Sequence, residues 1–397
     1  MEVLSISLSI IGVALLIATA PLLAELLVLT TTSLLPLVSP KRDEISWQNQ
    51  GIPFRLAVIV PAHNEEALIG RCVRSIIASR PKCVEVFVVA HNCNDNTVLE
   101  AMQAGARPIV LNETSQTGKG CALHHGFSTA MAEGFEAVLV IDADSVASPN
   151  LVEAARHSFM AGDQALQCRY EIRTASSNRR AQLMNLAFMG FNVIRPRGRE
   201  RLGLSVGIFG NGFGLRREVL DKLPYEARST TEDLEYHLML VLAGIRVAFL
   251  ESASVISEVP ASDSGTSTQR ARWEGGRLRM MRQWSPRLLV KVLSGRIRLI
   301  EPLLDLLGLP LAFEVGLLFV ALCLPVEWLR VFALTGFAVV ALHVLVAAAN
   351  GPDFRGAMKA LVTSPIYILW KLWMLPQIWR ASRSDTPWVR TSRDTSV

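Results

Sequence analysis

Asp142, Ala143, Asp144 and Ser145 follow directly on the apolar run "EAVLVI" (136–141). Two carboxylates this close repel each other unless a cation sits between them. Hard oxygen donors suit Mg²⁺ or Mn²⁺, and such an ion commonly bridges substrate phosphates. Upstream, "QTGKGCAL" (116–123) puts Gly118, Lys119 and Gly120 at the start of a helical pattern. Backbone N–H groups and an ammonium in that position favour a phosphate, although the full glycine spacing of a P-loop is absent. Downstream, "STTEDLEYHLML" (229–240) opens another helix. Ser229 or Thr230 can cap it, and the positive end of its dipole is expected to hold Asp233 ionised, as a general base must be. "GIFGNGFGL" (207–215) is dense in glycine, which permits close approach of backbone to a ligand. In "QRARWEGGR" (269–277), Arg272 offers a planar cationic fork and Trp273 a flat apolar ring.

Each piece also has a plain structural reading. An acidic turn, a solvated loop lysine, acidic residues at a helix N-terminus and an amphipathic basic helix would supply the same letters. The elements between them decide how the pieces are read. "LAVIV" (56–60), "VEVFVVA" (84–90) and "EAVLVID" (136–142) are short and almost continuously apolar, as strands buried on both faces of a parallel sheet are. Helical patterns over 65–79, 95–105 and 119–133 alternate with them, which predicts βαβ units and a doubly wound sheet. Ligands of such sheets sit beyond the carboxyl ends of the strands. The polar segments "PAHNEE", "HNCNDNT" and "DADS" all fall at those ends.

Half of the 397 residues are hydrophobic, the mean hydropathy is +0.33 and the net charge is +5. This balance predicts a soluble part joined to membrane segments. The basicity suits an anionic substrate or an anionic membrane face. Nucleic acid is excluded as a partner, because no base-reading fold is written here and the apolar runs point to lipid. None of the six cysteines forms a C-x-x-C pair, and they read as reduced thiols of a cytosolic domain.

Residues 3–39 form an apolar run with Glu25 as its only ionisable group, and about 20 such residues cross a bilayer. Pro21 and Glu25 mark a kink or a face turned to protein. A second block, from about Leu306 to Asn350, is broken near Pro325, Glu327 and Arg330 and reads as two helices with a tight turn. "MKALVTSPIYILWKLWMLPQIW" carries Lys359, Lys371 and several tryptophans and reads as interfacial. Lys41, Arg42, Arg296, Arg298, Arg380, Arg383, Arg390 and Arg393 fall on one side of three spans, which the positive-inside rule makes cytoplasmic. The expected organisation is a transmembrane helix (1–44), a cytosolic α/β domain (45–295), an interfacial helix with two transmembrane helices (296–350), and an interfacial helix with a cytosolic tail (351–397). The chain is therefore expected in the cell membrane, multi-pass, with its catalytic domain in the cytosol.

In order along the chain, "VPAHNEE", the second strand-end loop, "GKG", D-x-D, T-E-D and Q-x-x-R-W resemble glycosyltransferase family 2, and more narrowly the membrane-embedded synthases of cellulose, hyaluronan and chitin oligosaccharides. The resemblance covers about residues 55–300. It implies a GT-A fold, Rossmann-like with a mixed sheet, and an inverting transfer of sugar from a nucleotide-diphosphate sugar, UDP-linked by preference. Position by position it implies that Pro61, Asn64 and Glu65 line the nucleotide pocket, with His91 near the place where the family has an acidic base reader. Lys119 and Arg272 contact the diphosphate. Asp142 and Asp144 hold it through Mg²⁺ or Mn²⁺, Asp144 as direct ligand. Asp233 is the base. Gly210, Asn211, Glu232, Gln269 and Trp273 lie on the acceptor side. The implied product is a β-linked polysaccharide. Single addition to a membrane lipid, and a non-catalytic scaffold that keeps a nucleotide pocket, are the competing readings. The extra transmembrane set of the processive enzymes is missing, so a homo-oligomer or partner subunit would complete a polymer channel.

Overall fold

The computed structural model describes residues 2–36, 54–78, 83–113, 118–173, 179–226, 231–258 and 263–383. The chain opens with α1 (Glu2–Ser33), β1 (Leu56–Ala62), α2 (Glu66–Ile77), β2 (Val84–His91), α3 (Thr97–Gln103) and β3 (Arg107–Leu111). Next come α4 (Lys119–Ala132), β4 (Ala137–Val140), β5 (Ser145–Ala147), α5 (Leu151–Met160), β6 (Ala165–Arg173), α6 (Arg179–Met189) and α7 (Arg195–Arg201). Then follow β7 (Phe213–Arg216), α8 (Arg217–Lys222), α9 (Glu232–Leu242), β8 (Val247–Glu258) and α10 (Asp263–Leu293). Six more helices close it: α11 (Ile300–Leu307), α12 (Leu311–Cys323), α13 (Glu327–Asn350), α14 (Phe354–Leu361), α15 (Ser364–Trp373) and α16 (Leu375–Ala381).

Packing divides these elements into two compact units. The first is a mixed eight-stranded sheet in the order β3-β2-β1-β4-β7-β6-β8-β5. The strands read from the sequence are its parallel centre, with β1 between β2 and β4. The expected helices over 65–79, 95–105 and 119–133 are α2, α3 and α4, each slightly shorter. Leu56, Val58 and Val60 bury on one face with Ile69 and Val73 of α2 and with α5. Ala57 and Ile59 bury on the other with Leu123 and Phe127 of α4 and Tyr236 of α9. Both faces being covered is why these strands are almost continuously apolar. Strand order reverses between β1 and β4, so the crevice expected for a ligand opens beyond their carboxyl ends.

The second unit is helical. It holds α1, α6, α7, α11 to α16 and most of α10. The segments α6 and α7, read in sequence as part of the central domain, pack here, joined by a π turn at Gly190–Ile194. The reason is a buried ionic cluster. Glu25 of α1 accepts from Arg195 and Arg199 of α7. Those two arginines also pair with Asp305 of α11, and Arg199 with Glu301. Glu25, Arg195 and Arg199 are at most 5% exposed. A Cβ at Gly198 would lie 2.2 Å from the Leu29 carbonyl oxygen, so only glycine lets α7 approach α1 this closely.

α1 and α13 are long and apolar enough to cross a membrane. The two helices expected around Pro325 are α12 and α13, but α12 has 13 residues, about 20 Å, against a hydrocarbon core of about 30 Å. It qualifies only jointly with the short helical stretch Ile297–Leu307, across an 81° bend. The interfacial stretch forms α14, α15 and α16, of 8, 10 and 7 residues. Lys371, expected at headgroup level, is buried instead and pairs with Glu274 of α10.

Candidate functional site

The site is built from strand ends. β4 stops at Val140, and the chain then turns through Asp142, whose N–H donates to Asn211 Oδ1 at 3.0 Å. Lys119 is the first residue of α4, entered from Gly118 at φ 117°. Its Nζ pairs with Asp142 Oδ1 and donates to the Gly210 carbonyl oxygen at 2.6 Å. Gly210 itself sits at φ 79°, and a Cβ there would lie 3.2 Å from Asp233 Oδ2 and 3.7 Å from Lys119 Nζ. The glycine-dense loop, α4, the acidic turn and the first turn of α9 therefore meet at one point. Asp233 is the second residue of α9, and its Oδ1 accepts the Leu234 N–H at 2.8 Å. The N-cap is Thr231; Ser229 and Thr230 lie outside the described residues.

The charges around Lys119 are lopsided. Burial lowers its pKa, but Asp142, Glu232 and Asp233 outweigh that and hold it above the usual lysine value, so it stays an ammonium. Burial pushes the Asp142 carboxyl up, and Asp144 adds to the rise while Lys119 opposes it. Asp233 is also raised, first by burial, against the Leu234 N–H and Lys119. Burial therefore works against the helix terminus that is expected to hold Asp233 ionised. Asp142, Glu232 and Asp233 all act on Lys119 and Asp144 acts on Asp142, and a divalent cation would stabilise carboxylates gathered this way. The oxygens of Asp142 and Asp144 fit Mg²⁺ or Mn²⁺ by chemistry. Among the described residues no group of three or more His, Cys, Asp or Glu is arranged to hold a metal, so the remaining ligands would be substrate oxygens and water.

Beside this point the ends of β1 and β2 form a laced pair of loops. Asn64 and Asn92 both adopt left-handed backbone, φ 55° and 52°. Asn64 Oδ1 accepts the Asn94 N–H at 2.8 Å, and the Glu65 N–H donates to Thr97 Oγ1 at 2.8 Å. Asn92 exchanges two hydrogen bonds with the Glu113 backbone at 2.8 and 2.9 Å. Asp95 accepts from the Glu66 N–H through one oxygen and from Thr97 through the other. Burial raises its pKa, but those donors win and hold it below the usual range. Asp95 thus clasps the two loops together. His91 is buried, with Nε2 3.4 Å from the Glu113 carbonyl oxygen. Pro61 pairs in register with Val89, which places it at the β1 rim.

Of the expected residues, Lys119, Asp142, Asp144, Gly210, Glu232 and Asp233 come together, and Pro61, Asn64, Glu65 and His91 gather at the adjoining strand ends. Asn211 departs from expectation. It is fully buried, with its amide turned to the acidic turn and to strand hydroxyls rather than to an acceptor. Gln269, Arg272 and Trp273 lie on α10 within the helical unit. There the Trp273 ring, 38% exposed, lies 6.2 Å from Phe188 of α6. Gln167 was missed in the sequence. Its amide holds the glycine-rich loop by donating to the Asn211 carbonyl oxygen at 2.7 Å and accepting from the Phe209 N–H at 3.0 Å. Its only signal was a polar residue inside the strand pattern "ALQC".

A family model described as glycosyltransferase like family 2 matches residues 53–276. The probable glycosyltransferase YdaM of Bacillus subtilis (strain 168) is 24% identical over 233 residues, 56% of this chain and 55% of its own, so the chain spans about half the length of this curated relative. The solved structure of the mannosyltransferase PcManGT from Pyrobaculum calidifontis, in complex with GDP-Man and Mn²⁺, is 19% identical and covers 94% of this chain and 97% of its own, with a TM-score of 0.52. At that identity the likeness is one of fold. Glucosyl-3-phosphoglycerate synthase from Mycobacterium tuberculosis, in complex with Mg²⁺ and uridine-diphosphate, is 21% identical over 55% of this chain and 74% of its own, with a TM-score of 0.36. The mixed sheet is of GT-A type, the family match spans more than half of the chain, and the protein therefore belongs to glycosyltransferase-like family 2.

Proposed function

We propose that the protein is a membrane-bound inverting enzyme that moves a sugar from a nucleoside-diphosphate sugar, UDP-linked by preference, to an acceptor hydroxyl, and that repeated transfer builds a β-linked glycan. The observation that carries this reading is the meeting of Lys119, Asp142 and Asp233 around Gly210. Lys119 faces the diphosphate oxygens as an ammonium. Asp142 and Asp144 would hold a divalent ion, which supplies charge neutralisation for the departing diphosphate. Pro61, Asn64, Glu65 and His91 bind the nucleoside. Asp233 takes the proton of the acceptor hydroxyl as its oxygen attacks the anomeric carbon from the side opposite the diphosphate. The C–O bond to the phosphate breaks, the nucleoside diphosphate leaves, and an α-linked donor gives a β-linkage. Roles for Gln269, Arg272 and Trp273 rest on the sequence motif.

Membrane attachment is supported by the length and apolarity of α1 and α13. The exposed face of α10 beyond Pro286 adds to it, with Leu289, Val290 and Leu293 on one side and Arg287 and Lys291 on the other. We place the sheet unit in the cytosol on the positive-inside pattern. A second reading, single addition to a membrane lipid, is favoured by the two helices long and apolar enough to span among the described residues. The test is transfer by the purified full-length protein in lipid nanodiscs, with a panel of nucleotide sugars that includes GDP-mannose. A β-linked product of increasing length supports the first reading, and a lipid carrying one sugar supports the second. Retention of the donor's anomeric configuration would overturn the mechanism.

A further inference from the structure

We propose that Ser145 and Ser257, linked through Asn211, are positioning residues that aim the Asp144 carboxylate at the divalent ion of the donor site. The inference rests on the donor-site reading given above. Ser145 Oγ lies 2.9 Å from Asp144 Oδ1, 2.7 Å from Ser257 Oγ and 2.8 Å from Asn211 Nδ2. Asn211 Nδ2 also donates to Ser257 Oγ at 3.1 Å. A carboxylate can only accept and an amide nitrogen can only donate, so the proton of Ser145 goes to Asp144 and the Asn211 amide donates to the serine hydroxyls. The Tyr170 hydroxyl joins the same enclosed network through Ser257 and Asn211.

The network is enclosed, with Asn211 0%, Ser145 1% and Ser257 5% exposed. It is also pinned by the fold. Ser145 and Ser257 are directly opposed across the antiparallel β5–β8 pair. The other end of the Asn211 amide holds the Asp142 N–H at 3.0 Å, and its carbonyl oxygen is held by Gln167. One amide therefore sets the backbone of Asp142 and, through Ser145, the side chain of Asp144. Partners of this kind around a metal ligand typically change metal affinity by about 10–100-fold when removed.

The experiment measures Mn²⁺ binding by the loss of the free-ion paramagnetic resonance signal. It uses full-length protein in detergent with saturating UDP, or GDP where the wild type binds that nucleotide instead. Ser145→Ala is expected to weaken Mn²⁺ binding about tenfold or more, and Ser257→Ala by a few-fold, since it is one bond further away. Ser145→Thr keeps the hydroxyl and is expected to bind within about threefold of wild type. Nucleotide binding without metal and the thermal unfolding midpoint should stay near wild type in all three. Wild-type affinity in Ser145→Ala, or equal weakening in the Thr and Ala variants, overturns the positioning role alone. A wild type that binds no Mn²⁺ with either nucleotide overturns the donor-site reading as well.

Discussion

Replacement of Asp233 by Asn separates proton transfer from donor binding. Asp233 Oδ1 accepts the Leu234 N–H at 2.8 Å, and an amide oxygen can do the same, so the first turn of α9 keeps its bond. The amide nitrogen would take the place of Oδ2, beside Gly210, and is of nearly the same size. Shape survives and basicity does not. General-base contributions of about 10²–10⁴-fold correspond to about 2.7–5.4 kcal/mol of barrier, so transfer should fall at least about a hundredfold. Donor binding should be unchanged or slightly tighter, because one negative charge near the diphosphate is gone while Lys119 remains. The pH profile adds a second readout. A carboxyl must be deprotonated to act as a base, so the rate falls as pH drops through its pKa. Burial raises Asp233, which puts the acid limb of the wild type above the ordinary carboxylate range. The residual rate of Asp233→Asn should lose that limb. The assay is sugar transfer across pH beside equilibrium binding of the nucleotide sugar, both on the purified variant. Transfer within a few-fold of wild type removes Asp233 as the base; lost donor binding makes it part of the pocket's structure.

Lys119→Met should raise the donor KM about tenfold or more, since it removes a charged hydrogen bond worth about 1.5–3 kcal/mol, and an unchanged KM would refute the diphosphate contact. Excess chelator should abolish transfer and Mn²⁺ or Mg²⁺ restore it, with Asp144→Asn weakening both donor binding and turnover; full rate in chelator would end the metal reading. Glu25→Ala leaves Arg195 and Arg199 buried with less countercharge and should cost about 3–5 kcal/mol, seen as a lower unfolding midpoint in detergent. An unchanged midpoint would make the cluster dispensable. Single cysteines in place of Trp47 and Thr395 should both be shielded from an impermeant reagent outside intact cells, and labelling of either refutes the proposed topology.

The parallel half of the sheet was legible because burial on both faces leaves a continuous apolar signature, as in "LAVIV" and "VEVFVVA". The positions of Lys119, Asp142 and Asp233 were legible for a related reason: each follows a strand or opens a helix, and sequence marks those boundaries well. What joins them was not. Lys119 meets Gly210 across 91 positions, and the Asp142 N–H meets Asn211 across 69. No local pattern encodes such pairings. Asn211 read as a ligand contact because polar residues in glycine loops often are, and only burial reveals it as a strut. The segment "RPRGRER" (195–201) carries no local sign of burial; Arg195 and Arg199 are buried because their counterions lie on α1 and α11.

That ionic cluster also sets an order of events during synthesis. Glu25 is made 170 residues before Arg195 and 174 before Arg199. At about 5–20 residues per second, roughly ten to thirty seconds pass between them. Throughout that interval α1 carries an acid with neither arginine yet present, so its first resting state is a provisional one without these ion pairs. Arrival of α7 ends that state, and Asp305 follows 110 residues after Arg195 to close the cluster. A ribosome stalled between residues 40 and 190 would present α1 in its unlocked form, open to capture by a chaperone.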